Sequence, residues 1–297
     1  MSLMPRIGQG FIRIGRKLGK LGQSMDEPHC AGKIIVNGKA ITDLIPLGGY
    51  RQLGITKAGR ASFSGLLEGK KVKVYSAYSM DHANLRAGLE STDLGRRFFP
   101  RLIMSDKTYM VEEWINGPPL KKIGSSLFEL AAEEITGFLS ECRNSKELIQ
   151  LAANHQGAFC YFQDYLIKRL EPWCVLDFVQ QFILSWQDMY EKVKDKIEIR
   201  LSHPDLSDSN ILLEKESGRF VVIDNELLGV GHGWILDRRN SFLRDFSADT
   251  EVQPNKGIEK EFLNESWRLR LIGSALDASD FERAYAIAIN PGFSYVF

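Results

Sequence analysis

The stretch from residue 201 to residue 226 constrains this chain more than any other. It reads Leu201-Ser-His203-Pro-Asp205-Leu-Ser-Asp-Ser-Asn210, then the apolar run 211–213, a turn at Glu216-Ser217-Gly218, a second apolar run 220–223, and Asp224-Asn225-Glu226. Two short β-type runs joined by a glycine turn form a hairpin, and its polar groups gather at one end. An apolar strand that ends in a carboxylate flanked by Asn and Glu needs a cation to satisfy it. Phosphoryl transfer calls for such a set: a carboxylate to orient and deprotonate the accepting hydroxyl, and oxygen ligands for Mg²⁺. Asp205 suits the first role, Asn210 and Asp224 the second, with Glu226 as an auxiliary ligand. Asp208 and Ser209 read as turn formers, whose side chains bond nearby backbone.

Upstream, residues 32–117 are mostly β. The run 34–36 leads into Asn37-Gly38, a dipeptide that supplies the positive φ angles of a tight hairpin turn. Residues 66–67, Glu68-Gly69 and 71–75 read as a second hairpin, and residues 108–114 as a strand closed by Asn116-Gly117-Pro118-Pro119. Gly48, Gly49 and Gly54 mark a glycine-containing turn, open to two readings: an ordinary hairpin or a cover for phosphates. Residues 81–95 suit one helix. Beyond Pro119 the chain turns helical. Ser126 with Glu129 forms a capping box ahead of Phe128, Ala131, Ile135, Phe138, Leu139 and Cys142 at 3.6-residue rhythm. A long helix from about Asp177 places Phe178, Phe182, Trp186, Met189 and Val193 on one face, as core packing.

Lysine plus arginine and aspartate plus glutamate each total 38, so no overall charge field points to nucleic acid as partner. Cys30, Cys142, Cys160 and Cys174 show no CxxC pairing and read as buried thiols of a reducing compartment. No run of 18 apolar residues and no secretory signal is seen, so a cytoplasmic protein is expected. Residues 1–30 form a basic arm. Within 6–21, Arg6, Arg13, Arg16, Lys17 and Lys20 alternate with Phe11, Ile14, Leu18 and Leu21, and five glycines lie between Gly8 and Gly22. The glycines favour a frayed arm or edge strand. The alternative is a peripheral contact with the inner face of the membrane.

His203-x-Asp205-x4-Asn210, followed by an apolar run, Asp224-x-Glu226, resembles the protein-kinase-like superfamily, and within it the aminoglycoside phosphotransferase and choline kinase branch. The resemblance spans residues 34–244 and implies an α+β bilobal fold: a small β-rich N-lobe at 31–117 and a larger, mostly helical C-lobe at 118–297. It implies an ATP-dependent, Mg²⁺-using kinase with Asp205 as catalytic base, Asn210 and Asp224 on the metal, and His203 supporting the loop. It also implies that Lys73 reaches the nucleotide phosphates, that Glu90 pairs with Lys73, and that backbone groups of Glu113 and Ile115 bond the adenine edge. Lys71 shares the strand face of Lys73, and a solvated lysine row on an edge strand is the other reading of the pair.

The chain departs from protein kinases in having no arginine between His203 and Asp205 and no lysine two residues after Asp205. That favours a small-molecule acceptor, a sugar or a lipopolysaccharide-type hydroxyl. Glu112 stands where the family has an apolar residue behind the adenine, and Lys71 where a small one is usual. Either the nucleotide pocket is unusual or the register shifts by one. Arg238 and Arg239 read as substrate contacts or as internal ion-pair partners. The alternative function is a catalytically impaired kinase-like binding module.

Overall fold

The computed structural model describes residues 32–47, 61–158, 167, 169–196, 199–203, 206, 208–231 and 260–290. The basic arm, Gly48, Gly49, Gly54, Cys30, Cys160, Asp205, Arg238 and Arg239 lie outside these. The described residues divide into two compact units, one carrying 32–158 and 196–231, the other 167–195 and 260–290. The expected lobe boundary after residue 117 falls inside the larger unit.

That unit is built on a six-stranded antiparallel sheet of order β1-β2-β3-β4-β6-β5. Its strands are β1 (Ile34–Val36), β2 (Lys39–Pro46), β3 (Ser62–Leu67), β4 (Lys70–Ser76), β5 (Leu102–Asp106) and β6 (Tyr109–Glu113). Both expected hairpins form. Asn37 and Gly38 take φ values of 49° and 73°, and Glu68 and Gly69 take 51° and 78°, which match the right-handed twist of the flanking strands. Alternation then sorts the side chains. Val72, Val74 and Val111 pack with Ile34, Val36, Ile41, Phe63 and Leu67 on one face. The register pairs Ser64 with Lys73, Lys73 with Glu112, Ser62 with Tyr75 and Tyr75 with Met110, which puts all six of these side chains on the other face. Because β4 lies between β3 and β6, its lysines are not an edge row. Lys71 instead stacks its ammonium over the Trp114 ring, 3.8 Å from the centroid.

The residues expected to make one helix make two: α1 (Met80–Leu89) and α2 (Asp93–Phe98). Thr92 is the cause. Its hydroxyl donates to the Leu89 carbonyl at 2.8 Å, closing α1, and accepts from the Gly95 amide at 2.9 Å, opening α2. Gly95 permits the close approach, for a Cβ there would stand 1.8 Å from the Leu89 carbonyl oxygen.

Beyond β6 come α3 (Ser125–Asn144) and α4 (Lys146–Asn154). The Ser126–Glu129 capping box does not set the start of α3. The N-cap is Gly124, a residue tolerated there but with no side chain to accept from the first turn. Ala131, Ile135, Phe138, Leu139 and Cys142 are buried as the periodicity requires. They join Leu85, Leu89 and Phe98 and the short strands β7 (Leu201–Ser202), β8 (Ile211–Leu213), β9 (Phe220–Val222) and β10 (Gly229–Val230) in one core.

The smaller unit packs α5 (Asp177–Val193) with α6 (Lys260–Asp277) and α7 (Phe281–Ile289). Trp186, Phe182 and Val193 of the expected face are buried, and Trp186 donates to the Ser266 hydroxyl at 2.8 Å. Phe178 and Met189 are only half-buried, since Val179 and Ile183 take their places in the core. Among the described residues Cys142 is buried and Cys174 half-buried, and no helix is long and apolar enough to cross a membrane.

Replacing Thr92 by Ala is expected to lower unfolding stability by about 1 kcal/mol, whereas Ser at the same position recovers most of it. Urea denaturation of the three proteins checks this, and an unchanged midpoint in Thr92→Ala contradicts the capping account.

Candidate active site

The β8–β9 hairpin positions the polar groups. Ile211 pairs with Val222, and the ladder runs one step further, with the Ile223 amide donating to the Asn210 carbonyl at 2.8 Å. Asn210 and Asp224 are thereby brought to the same end of the hairpin. Asp224 itself takes the left-handed conformation, φ 69° and ψ 46°, and residues Asn225–Leu227 follow as a single 3-10 turn. Asp is among the few non-glycine residues that tolerate this region, at a cost of about 1 kcal/mol. The bend turns Asp224 one way and Asn225 and Glu226 toward the sheet.

Lys73 of β4 meets them. Its ammonium lies 3.1 Å from Asp224 Oδ1 and 3.0 Å from Glu226 Oε1. Glu226 Oε1 also accepts from the Ser62 hydroxyl at 2.9 Å. The lysine side chain is 12% exposed and that of Glu226 5%, while the Asp224 side chain is 49% exposed and opens outward. Burial alone would lower the lysine's pKa, but Glu226, Asp224 and Glu112 around it more than compensate, so it is held above the ordinary lysine range. Burial likewise raises the Asp224 carboxyl, and Lys73 overrides this to leave it below its usual value. Glu226, deepest of the three, is pushed up to about 7 by burial and by Asp224, with Lys73 opposing.

A second buried ion pair lies beside the first. Arg86 of α1 is bonded through Nε to Glu112 Oε1 at 2.7 Å, both fully buried. Tyr75 Oη donates to the same oxygen at 3.0 Å, and Asn225 Nδ2 stands 3.3 Å and 3.4 Å from the two oxygens. Glu112 therefore anchors the helix, the strand and the Asp224 turn together. Glu90 does not pair with Lys73. Its carboxylate lies one helical turn beyond Arg86, takes the Arg86 Nη1 contact at 3.3 Å, and accepts from the Leu102 amide at 3.0 Å. The helix side chain turned toward the sheet is thus a cation, and the lysine's carboxylate partners come from the hairpin end.

Of these groups Lys73, Glu112 and Asp224 border a cavity of about 230 Å³. Its walls are Leu47, Pro100, Trp114, Ile115, Leu212 and Ile223, and its polar lining comprises Lys73, Glu112, Glu113, Asn210 and Asp224. Residues 112–115 line this cavity together with Lys73 and Asp224. The Glu113 carboxylate is strapped outward by Arg219 at 2.9 Å and the Arg101 amide at 2.8 Å. His203 is buried near Asp224, whose carboxyl it helps to lower, and its carbonyl accepts from the Leu206 amide, a supporting position. Glu226 does not line the cavity; it lies behind Asp224 against Ser62 and Lys73.

The cavity suits a hard cation at Asn210 and Asp224. Both line it, Asp224 carries a half-exposed carboxylate, and the Lys73 ammonium already occupies a cation position between the acids. Mg²⁺ is commonly held by one or two protein oxygens with phosphates completing the shell. Among the described residues no group of three or more His, Cys, Asp or Glu forms a metal cluster.

No family model and no curated protein matches this sequence. Solved structures do. LicA in complex with AMP matches at 16% identity and a TM-score of 0.53, over 98% of this chain and 100% of that one. A thermostable mutant of aminoglycoside phosphotransferase APH(4)-Ia in its apo form matches at 14% identity and a TM-score of 0.51, over 84% and 92%. The fold is protein-kinase-like. Within that kinase-like fold, sequence reasoning found the hairpin acids and Lys73 but missed Arg86, Tyr75, Ser62 and Asn225. The available signal was Glu112, since a carboxylate in the strand 108–114 demands a buried donor, and Arg86 on the preceding helix was the candidate.

The position of Glu226 generates a pH prediction. The fold keeps a proton on Glu226 that the unfolded chain, with a carboxyl near 4.5, has released. That contribution is full below about pH 4.5 and lost as pH rises through about 7. Metal-free wild type is therefore expected to lose up to about 3 kcal/mol more than Glu226→Gln between mildly acidic and mildly alkaline buffer. Parallel urea titrations of the two proteins decide it, and identical pH dependence sinks the assignment.

Proposed function

We propose that this protein is an ATP-dependent phosphotransferase that moves the γ-phosphoryl group to a hydroxyl of a small molecule or sugar. The single observation that carries this reading is the Lys73 ammonium lying across Asp224 and Glu226 at the polar edge of a cavity bordered by residues 112–115. The kinase-like fold it shares with LicA in complex with AMP and with an aminoglycoside phosphotransferase supports it.

In this reading the apolar walls take the base, and backbone groups of Glu113 and Ile115 bond its edge. Lys73 gives up part of its contact with Asp224 to hold the α- and β-phosphates, with Glu226 keeping it in place. Asn210 and Asp224 would hold Mg²⁺, which when bound would neutralise phosphate charge. The acceptor hydroxyl attacks the γ-phosphorus, the bond to the bridging oxygen breaks, ADP departs, and Asp205 takes the proton. His203 supports the loop that carries Asp205.

The acceptor belongs to the hydroxyl compounds served by this branch: amino alcohols, aminoglycosides, sugars and lipopolysaccharide cores. For the last of these, residues 6–21 supply a basic contact with the inner face of the membrane. ATP use places the reaction in the cytoplasm. A catalytically impaired kinase-like binding or regulatory module is the alternative, and release of ADP on adding a hydroxyl compound separates the two.

Wild type is expected to show a Mg²⁺-dependent thermal shift with ATP and to release ADP when a suitable hydroxyl compound is added. Asp224→Ala should lose both. Asp205→Ala should keep the shift and lose turnover by about a thousandfold or more. A wild-type melting curve indifferent to every common nucleotide contradicts the proposal.

A further inference from the structure

Asn225 stands between a residue that lines the cavity and one that reaches the sheet, and its own side chain goes to a third place. It is 3% exposed, and its Nδ2 donates toward Glu112, 3.3 Å from Oε1 and 3.4 Å from Oε2. Its Oδ1 is buried and meets no donor among the described residues. A buried carbonyl oxygen left without a donor destabilises the fold, and an apolar side chain of similar size would avoid that. An amide is therefore a poor choice for packing alone. What it supplies is a tether to a fixed point. Glu112 is held by Arg86 Nε at 2.7 Å and Tyr75 Oη at 3.0 Å, and Arg86 is in turn held by the Pro100 carbonyl and by Glu90. The tether thus runs from helix α1 through strand β6 to the residue that follows Asp224.

We propose that Asn225 is a positioning residue for Asp224: its bond to Glu112 keeps the Asp224 turn in the left-handed conformation that presents the carboxylate to the cavity. The inference rests on the phosphotransferase reading, in which Asp224 is a metal ligand. Asp224 has φ 69°, a conformation that a non-glycine residue keeps only when its surroundings hold it there. On the preceding side, the Ile223 amide bonded to the Asn210 carbonyl at 2.8 Å fixes the hairpin end. On the following side there are two ties. Lys73 reaches the Asp224 carboxylate itself at 3.1 Å, and Asn225 reaches Glu112. The lysine tie loosens once phosphates compete for its ammonium, whereas the Asn225 bond takes no part in that exchange. Because the Leu228 amide donates to the Asn225 carbonyl at 3.1 Å, a pull on Asn225 acts on the whole 3-10 turn.

Calorimetric titration of ATP in Mg²⁺ and in EDTA tests this, with the increase in affinity that Mg²⁺ brings as the deciding quantity. Asn225→Leu keeps the volume, removes the unmet oxygen and leaves Glu112 its Arg86 and Tyr75 donors, so its urea midpoint is expected to stay close to that of wild type. Its Mg²⁺-dependent increase should shrink by about tenfold to a hundredfold, with affinity in EDTA unchanged. Asn225→Asp sets two carboxylates against each other and should shrink the increase at least as much. Adding Glu112→Gln to that variant exchanges amide and carboxylate, restores a donor between them without altering total charge, and should recover most of the increase. An increase unchanged in Asn225→Leu, a loss of equal size in EDTA, or a folded exchange variant that recovers nothing overturns the proposal and leaves the phosphotransferase reading standing. Where the exchange variant does not fold, Asn225→Leu decides. A wild type that binds no ATP, or binds it with no increase from Mg²⁺, overturns both.

Discussion

The larger unit is organised around buried charge that must be neutralised locally. Lys73 and Arg86 stand on the same side of the sheet, and three acids meet them: Asp224, Glu226 and Glu112. A buried ion left alone costs several kcal/mol, so these groups hold one another in place. Burial first, and then the negative charge of Asp224, push Glu226 upward despite the adjacent lysine. Two cations against three carboxylates leave negative charge on the half-exposed Asp224 carboxylate.

Each strand and turn around this cluster can be understood by what it delivers. Alternation along β3, β4 and β6 sends Ser62, Lys73, Tyr75 and Glu112 to one face and the valines to the other. The β8–β9 hairpin brings Asn210 beside Asp224, and the left-handed bend at Asp224 lets residues 224–226 address cavity and sheet at once. Asn225 is the link between the two ion pairs, since its amide reaches Glu112 while its neighbours reach Lys73. Removing one member would strand the others, so the cluster is expected to respond as a unit rather than residue by residue.

Local chemistry was legible in the sequence, and long-range pairing was not. Asn37-Gly38 and Glu68-Gly69 announce their turns because positive φ is a property of the dipeptide. The 211–213 and 220–223 runs announce their hairpin for a similar reason, and with it the meeting of Asn210 and Asp224. The break at Thr92 was hidden because the apolar spacing of residues 81–95 continues across it; only the hydroxyl's double bonding reveals the stop. The pairing of Glu90 with Lys73 was carried over from the family resemblance. It fails because Arg86, one turn earlier, occupies the inward position and draws both Glu90 and Glu112 to itself. Glu226 read as a metal ligand from its spacing to Asp224, yet the turn carries it behind that residue to Ser62 and Lys73.

The central claim is that Lys73, held by hairpin carboxylates, is the group that meets a nucleotide's phosphates. Calorimetric titration of Mg²⁺·ATP and of adenosine into wild type and Lys73→Met tests it most directly. The account predicts that wild type binds ATP far more tightly than adenosine, and that Lys73→Met weakens ATP by about tenfold or more while leaving adenosine unchanged. Equal loss for both ligands, or no loss for ATP, would contradict it.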